Sequence, residues 1–268
     1  MSAIRVLVHG AAGKMGQTVI AALCREADMR VVGAVDTHLT GPELMLPDGS
    51  AGVPAGCDLD SLLGLTCPDV VIDFSVAAAV LPMAEAVTGR RIHLVSGTTG
   101  LSKETLQAID RLARQGGVGA VVASNFAVGA VVMMHLAARA ARYFDHAEII
   151  EEHHDQKLDA PSGTALTTAR MMAAGRGRPF EPPAGDTIRH DSRGQQKDGI
   201  PIHSIRLPGI VARQQIIFGT AGQTLSIKHD AISRECYMPG VMLAVRQVSS
   251  HLGLVSGLDS LLGFQEEL

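Results

Sequence analysis

The sequence is poor in aromatic residues, in positive charge and in cysteine. Aromatic side chains make up 3% of the 268 residues, there is no tryptophan, and the formal net charge is −4 at pH 7. Without a basic field to attract phosphates, no nucleic-acid partner is expected. The four cysteines are scattered without a C-x-x-C pair, and no metal site is expected. The chain enters a strand directly, with no charged-then-apolar leader, so we expect a reducing cytoplasm.

Long apolar runs are also missing. The longest weakly polar stretch, 118–138, contains Ser124, Asn125 and His135, whereas a membrane span needs about twenty apolar residues. This stretch is therefore expected to be a buried strand followed by a helix, and no membrane association is expected. With 46% apolar residues, a chain of this length is expected to form two domains with a substantial core.

Three glycines spaced as G-x-x-G-x-x-G follow the first apolar run. Residues 4–9 lead into Gly10, Gly13 and Gly16, and a helical pattern comes next. In such a unit the first glycine allows a tight turn, the second lets a pyrophosphate approach the backbone, and the third lets the helix pack on the strand. The next apolar run ends on Asp36, about twenty residues past the turn, where a carboxylate accepts hydrogen bonds from an adenosine ribose. The pattern predicts a dinucleotide site.

Further apolar runs at 69–74, 92–95 and 118–123 indicate more strands of a parallel sheet, with helical patterns between them. Gly97-Thr98-Thr99-Gly100 follows one of these runs, at the sheet edge where doubly wound folds bind ligands. Residues 37–57 are rich in Gly and Pro and lack periodicity, so we expect a surface excursion there.

The sequence pattern changes after Asn125. A long helix is predicted over 128–144, followed by strands over 203–207, 214–218 and 224–229 without helices between them, which indicates an antiparallel or mixed sheet. Residues 175–199 are expected to form a mobile excursion. Helical patterns return at 241–252 and 258–262.

Proton-handling and anion-binding groups are concentrated in residues 151–165, EEHHDQKLDAPSGTA. His153 and His154 can transfer protons near neutral pH, since an imidazole titrates at about 6.5, and Lys157 adds a cation and a potential acid. Ser162-Gly163-Thr164 opens a predicted helix, and such a terminus binds carboxylate or phosphate. The stretch predicts a pocket in which a small anion receives a proton. The alternative is a solvated loop with an ordinary helix cap.

This loop closely resembles the signature of the dihydrodipicolinate reductase family, also called 4-hydroxy-tetrahydrodipicolinate reductases, of bacterial lysine and diaminopimelate synthesis. The resemblance extends to the glycine turn at 10–16, to Asp73-Phe74-Ser75, to the turn at 97–100 and to 125–129, and more loosely to 232–234. It therefore covers nearly the whole chain.

The resemblance implies a Rossmann-type, doubly wound α/β domain over 1–124, completed by 237–268. An α+β domain inserted over 125–236 would bind substrate and build a homotetramer, with hinges near Asn125 and Cys236. A hydride would pass from a nicotinamide to the ring of a small cyclic dicarboxylate, forming tetrahydrodipicolinate.

The family's functional residues are carried over to matching positions. The implied catalytic residues are His153 and Lys157, and the implied substrate contacts are His154, Ser162, Gly163 and Thr164. The implied cofactor contacts are Gly10, Ala11, Ala12, Gly13, Lys14, Met15, Asp36, Gly97, Thr98, Thr99, Ala123, Ser124, Asn125 and Phe126.

One departure from the better-known enterobacterial pattern concerns cofactor choice. There a Glu-Arg pair ends the second strand, whereas here Asp36 is followed by Thr37 and His38. A strong preference for NADPH is therefore not expected, although Lys14 is a candidate partner for a 2′-phosphate. We expect use of both NADH and NADPH, with NADH equal or preferred.

Two alternatives remain open from the sequence. One is another NAD(P)-dependent oxidoreductase on the same fold, and the other is a dinucleotide sensor that keeps the pocket without turnover. A sensor has no need of both His153 and Lys157 beside an anion site, whereas a reductase that protonates a ring does.

Overall fold

The computed structural model describes residues 2–180 and 191–264, which divide into two compact units. The first contains the chain up to Phe126 together with Tyr237–Gly263, and the second contains Ala127–Cys236 together with Phe264. The chain thus leaves the first unit after Phe126 and returns to it at Tyr237.

The described residues contain thirteen strands. In chain order they are β1 (Ile4–His9), β2 (Met29–Val35), β3 (Glu43–Leu44), β4 (Val53–Gly56), β5 (Val70–Asp73), β6 (His93–Ser96), β7 (Gly119–Val122), β8 (His146–His153), β9 (Gln195–Lys197), β10 (Ile200–Arg206), β11 (Ala212–Thr220), β12 (Gln223–Ala231) and β13 (Gly253–Ser256).

Seven α-helices lie in the same residues. They are α1 (Lys14–Leu23), α2 (Leu59–Thr66), α3 (Ala77–Thr88), α4 (Lys103–Gly116), α5 (Val128–Ala140), α6 (Gly163–Arg176) and α7 (Met238–Gln247). Short 3₁₀ helices occur at Ala141–Tyr143, Asp191–Arg193, Arg234–Tyr237, Val248–Ser250 and Ser260–Leu262.

The first unit is built on a sheet with the strand order β13-β7-β6-β5-β1-β2-β4-β3. Its neighbouring strands are parallel except for the β3–β4 pair. Strands of a parallel sheet are covered on both faces and read as continuous apolar runs, which is why Val6, Leu7 and Val8 are all fully buried. Helices α2, α3 and α4 contribute to one apolar cluster with this sheet, and α1 packs against α7. The predicted doubly wound α/β fold is confirmed.

Three predictions for this unit were wrong or incomplete. Residues 37–57 are not a plain excursion, because β4 extends the parallel sheet beside β2 and buries Val53 and Ala55. The helix predicted over 241–252 ends earlier, at Gln247, and β13 follows it and pairs in parallel with β7. Helix α2 was not predicted. Its start is stabilised by Asp58, whose carboxylate accepts the N–H groups of Asp60 and Ser61.

The second unit has a mixed sheet. The sequence had predicted either an antiparallel or a mixed sheet for this region. The strand order is β12-β11-β8-β10-β9, and β8 lies at its centre, parallel to β10 and antiparallel to β11. Helix α6 lies between β8 and β10 in the chain and covers one face of the sheet, where Thr168 Oγ1 accepts a hydrogen bond of 2.7 Å from Gln214 Nε2. The apolar run 147–150 alone indicates only a short strand before the loop at 151–165, whereas β8 runs from His146 to His153.

Of the stretch 175–199, predicted as a mobile excursion, residues 181–190 lie outside the described part of the chain. In the remainder, α6 continues to Arg176 and β9 forms a strand. The stretch 118–138 consists of β7 and α5, as predicted. No helix within residues 2–180 and 191–264 is long and apolar enough to cross a membrane.

Candidate active site

The glycine turn forms a tight approach between strand and helix. Gly10 has a φ of +79°, and a Cβ placed on it would lie 2.5 Å from the carbonyl oxygen of Phe74. A Cβ on Gly16 would overlap the Gly10 carbonyl oxygen. Helix α1 starts at Lys14 with Gly13 as its N-cap, so the first-turn N–H groups are not used by the helix's own hydrogen bonds. These features fit a dinucleotide pyrophosphate at a helix N-terminus.

Asp36 lies directly after β2 and is tied to the glycine turn. Its Oδ2 accepts the Ala12 N–H at 3.0 Å, and its Oδ1 accepts the His38 N–H at 2.9 Å and lies 3.0 Å from His38 Nδ1. Burial favours the neutral acid, but the hydrogen bonds from His38 and Ala12 outweigh it and lower the pKa of the Asp36 carboxyl. An ionised carboxylate therefore stands beside the turn, where a ribose acceptor is predicted.

Asp73, at the end of β5, organises the same edge of the sheet. Its fully buried carboxylate accepts hydrogen bonds from His9 Nδ1 at 2.9 Å, Ser96 Oγ at 2.7 Å and Thr98 Oγ1 at 2.8 Å. Burial opposes ionisation, but these donors outweigh it and lower the pKa of Asp73. The hydroxyl of Thr98 is thus directed into the protein, and its N–H donates to Ser96 Oγ at 3.3 Å, so a cofactor contact of Thr98 stays a prediction.

The other predicted cofactor positions differ in accessibility. Thr99 and Ser124 are exposed, whereas Ala123 and Phe126 are buried. The Phe126 ring packs against Phe74, with 6.1 Å between the ring centroids, so its side chain belongs to the core. All these positions follow β1, β2, β6 or β7, at the carboxyl edge of one parallel sheet, which is the ligand-binding edge of doubly wound folds.

In the second unit, His153 is held by a buried carboxylate. Glu151 stands two residues earlier on β8, on the same face of the strand, and its Oε2 lies 2.5 Å from His153 Nδ1. Arg206 binds the same carboxylate through Nη1 at 3.1 Å and Nη2 at 2.8 Å. Burial opposes ionisation of Glu151, but the hydrogen bonds from His153 and Arg206 outweigh it and lower its pKa to about 2. Glu151 is therefore an anion at neutral pH.

Lys157 lies in a tight turn after β8. Its N–H donates to the His154 carbonyl oxygen at 3.1 Å, and its Nζ donates to Asp159 Oδ1 at 2.7 Å. This hydrogen bond is the largest cause of a lowered pKa at Asp159. The ammonium group is half-buried and fixed by one exposed partner, which leaves two further N–H donors for a ligand.

The N-terminus of α6 completes the loop. Ser162 is its N-cap, and its Oγ accepts the Ala165 N–H at 3.2 Å while its own N–H donates to Glu151 Oε1 at 3.3 Å. Ser162 is buried, so its hydroxyl serves the helix, and its role in substrate binding stays a prediction. Gly163 is exposed, and nothing lies within 4 Å of a Cβ built on it. Helix α6 begins at Gly163, and a helix N-terminus of this kind attracts an anion.

No set of three or more His, Cys, Asp or Glu side chains suited to a metal ion occurs in the described part of the chain. Two family models match the sequence over almost its full length. Residues 4–126 match the N-terminal part of dihydrodipicolinate reductase, and residues 129–262 match its C-terminal part. The chain belongs to the dihydrodipicolinate reductase family.

Individual members of the family give the same result. The chain is 52% identical over 262 residues to the 4-hydroxy-tetrahydrodipicolinate reductase of Dehalococcoides mccartyi, with 98% of this chain and 99% of the relative covered. It is 47% identical over 266 residues to the enzyme of the same name from Moorella thermoacetica, with 98% and 100% covered. The predicted family is therefore confirmed. The predicted enzyme class, an NAD(P)H-dependent reductase of lysine and diaminopimelate biosynthesis, is confirmed with it.

A solved structure of another dihydrodipicolinate reductase has the same fold as this chain. The dipicolinate-bound dihydrodipicolinate reductase from Paenisporosarcina sp. TG-14 aligns with a TM-score of 0.84 and 41% identity, over 96% of this chain and 99% of that one. An amine dehydrogenase from Mycobacterium smegmatis aligns with a TM-score of 0.63 at 14% identity. That similarity concerns the fold alone.

Three residues of these sites were missed by reasoning from the sequence. Glu151 and Asp73 each stand at or near the end of an apolar run, and a carboxylate in such a run is a signal of a paired, buried charge. Arg206 left no such signal, because it lies far from residue 151 in sequence and reaches Glu151 only through the parallel pairing of β8 and β10.

Proposed function

We propose that the protein reduces 4-hydroxy-tetrahydrodipicolinate to tetrahydrodipicolinate, with His153 and Lys157 as the proton-transfer residues. The observation that supports this most is the loop from His153 to Thr164. It combines an imidazole bound to an ionised carboxylate, a half-buried ammonium group and an open helix N-terminus. Two potential proton carriers and a helix N-terminus suited to an anion thus occur within twelve residues.

The atoms of the reaction define what this chain must supply. Converting the hydroxy compound to the product replaces a C–OH group by C–H, so the hydroxyl leaves as water while a hydride and a proton are taken up. The nicotinamide cofactor supplies the hydride when bound. The proton must come from a proton carrier near the carboxylate-binding site, and His153 and Lys157 are suited to that task.

We propose that the first turn of α6, with Gly163 and Thr164, holds a substrate carboxylate, and that His154 contacts the substrate. A charge-assisted hydrogen bond is worth roughly 1.5 to 3 kcal/mol. Thr164→Ala should therefore raise KM for the substrate about tenfold or more, while NADH binding hardly changes. Thr167→Ala, one turn further along α6, is the matched control and should leave KM within about twofold.

Pyridine-2,6-dicarboxylate offers a second test of the carboxylate site. As a planar dicarboxylate it should compete with substrate in wild-type protein and compete less well in Thr164→Ala. No competition at millimolar concentration would count against the paired-carboxylate site.

Cofactor choice follows from the charge at Asp36. Unit charges about 4 Å apart interact by roughly 4 kcal/mol at an effective dielectric of 20, and salt reduces this where the groups are exposed. The extra phosphate of NADPH would meet that repulsion. Lys14, in the glycine turn, is a candidate to offset it, but no arginine follows Asp36 to form a bidentate clamp. We propose dual use, with NADH equal or better in kcat/KM by up to about tenfold.

A coupled turnover assay with enzymatically generated hydroxy-tetrahydrodipicolinate tests both the function and this preference, with NADH and NADPH compared at one ionic strength. A preference for NADPH above about thirtyfold would show that Asp36 does not control the pocket. Turnover of a different substrate only would indicate another oxidoreductase, and NADH binding without any turnover would indicate a sensor.

We propose a homotetramer assembled through the second unit. On the sheet face opposite α6, Ile205 is 42% exposed and Ile150 and Ile217 are half-buried. Arg213 lies among them, 3.6 Å from Glu152, so the face carries apolar groups and both signs of charge, as a self-associating surface requires.

Light scattering at micromolar concentration should give four times the chain mass. Ile217→Asp should lower this mass, because it places a charge within the apolar part of the face. Leu65→Asp, at a position of the first unit that is 70% exposed, should not change it. A stable wild-type monomer would refute the assembly.

A cytoplasmic location remains a prediction.

A further inference from the structure

Glu151 is a buried charge that the proton-transfer roles do not by themselves explain. Its side chain has no exposure to solvent, and a carboxylate in that position is costly unless it is paired and hydrogen-bonded. It accepts donors from three directions: His153 on its own strand, Arg206 on the neighbouring strand and the Ser162 N–H before α6. The carboxylate therefore joins the imidazole to the N-terminus of the helix.

Arg206 extends this network to the lysine side of the loop. A guanidinium group has five N–H donors, and Arg206 has five acceptors. Nη1 and Nη2 each bind one oxygen of Glu151, Nη1 also binds the Ile205 carbonyl oxygen, Nη2 also binds that of Asp159, and Nε binds that of Lys157 at 3.2 Å. One side chain thus holds both the partner of His153 and the backbone around Lys157.

The bond between Glu151 and His153 selects one form of the ring. An ionised carboxylate only accepts hydrogen bonds, so the hydrogen of a neutral His153 must be on Nδ1. Its Nε2 then carries the lone pair, and this is the atom left to exchange a proton with a ligand. Because Arg206 balances the charge of Glu151, the imidazole is oriented without being the sole counter-ion of the carboxylate.

We infer that Glu151 and Arg206 are positioning residues of the reductase reaction. Glu151 fixes the tautomer and orientation of His153, and Arg206 holds Glu151 and the Lys157–Asp159 backbone in one frame. This inference rests on the proposed function of His153 in proton transfer. A buried ion pair that serves stability alone would leave the tautomer of His153 and the turnover of the folded protein unchanged.

The chain provides a matched control for this test. Glu148 lies on the same strand but on the opposite face, and it also pairs with one histidine and one arginine. Its Oε2 lies 2.8 Å from His203 Nε2, and its Oε1 accepts from Arg193 Nη2 at 2.7 Å. Glu151→Gln and Glu148→Gln therefore each remove one charge from a histidine–arginine cluster of β8. The first cluster is beside the proposed site and buries its carboxylate fully, whereas the second lies on the opposite face and leaves its carboxylate 36% exposed.

The experiment measures kcat, KM, thermal unfolding and mass by light scattering for both variants, together with the ¹⁵N shifts of the histidine rings. The His153 signals are assigned by their loss in His153→Gln. The amide of Glu151→Gln can donate to Nδ1 as well as accept from it, so the Nε2–H form of His153 should gain population and kcat should fall at least about tenfold, with KM within about threefold. Glu148→Gln should keep kcat within about twofold. A folded Glu151→Gln protein with wild-type kcat, or with an unchanged His153 tautomer, would overturn the inference.

A second variant keeps the test decisive if Glu151→Gln does not fold. Arg206→Lys retains the charge but loses the planar fork, and kcat should fall at least about fivefold with NADH binding intact. Unchanged kcat in folded Arg206→Lys would overturn the role of Arg206. The double variant Glu151→Gln/His153→Gln should be no slower than His153→Gln, because Glu151 acts through His153. Wild-type turnover in His153→Gln would instead refute the proposed proton-transfer role of His153, while leaving the reductase activity in place.

Discussion

His153→Gln should lower kcat by about 10² to 10⁴, the range that general acid–base residues contribute. Glutamine cannot gain and lose a proton near neutral pH, but its amide can still donate to Glu151, so the buried carboxylate keeps a partner. We therefore expect the variant to fold and to bind NADH as the wild type does. Steady-state turnover with saturating NADH and substrate, beside thermal unfolding, measures the effect.

His203→Gln is the matched control for this prediction. His203 is a half-buried histidine of the same sheet that also pairs with a glutamate, yet it lies on the opposite face. Its replacement should leave kcat within about twofold. Equal losses in the two variants would show that the effect comes from disturbing the sheet and not from proton transfer.

Lys157→Ala should lower kcat at least about a hundredfold, because it removes the second proton carrier. The stability cost should be small. The partner of Lys157 is Asp159, whose side chain is 57% exposed, and exposed ion pairs are typically worth about 0 to 1 kcal/mol. Turnover and thermal unfolding measured together separate the two effects.

Lys228→Ala is the corresponding control. Lys228 also binds an aspartate two residues later, with 3.1 Å between Nζ and Asp230 Oδ2, so it has the same local pairing away from the loop. Wild-type kcat in a folded Lys157→Ala protein would remove Lys157 from the mechanism and leave His153 as the proposed proton carrier.

Local sequence pattern was sufficient for the parts of the protein in which neighbours in sequence are neighbours in space. The glycine turn from Gly10 to Gly16 and the start of α6 after Pro161 are of this kind, because backbone conformation and helix capping depend on a few adjacent residues. The dense loop at 153–164 was identified for the same reason. The concentration of ionisable and hydroxyl side chains in this loop can be read from the sequence without knowledge of the tertiary structure.

Pattern reasoning was least successful where short elements depend on distant partners. Strand β13 has four residues, two of them half-buried, and it is a strand because it pairs with β7. Strand β4 contains Pro54 next to a glycine-rich stretch, yet it extends the sheet beside β2. Such segments have weak propensity of their own, and tertiary pairing decides their structure.

The sequence alone therefore determined the family and the doubly wound fold, and it supplied the side chains that we propose as reactive. The tertiary structure decided how those side chains are held. Arg206 is 55 residues from Glu151, and only the parallel pairing of β8 and β10 makes its guanidinium group a neighbour of that carboxylate. The same holds for His9 and Asp73, which are 64 residues apart and meet across β1 and β5. Buried charges need partners, and in a folded chain those partners come from whichever strand lies alongside.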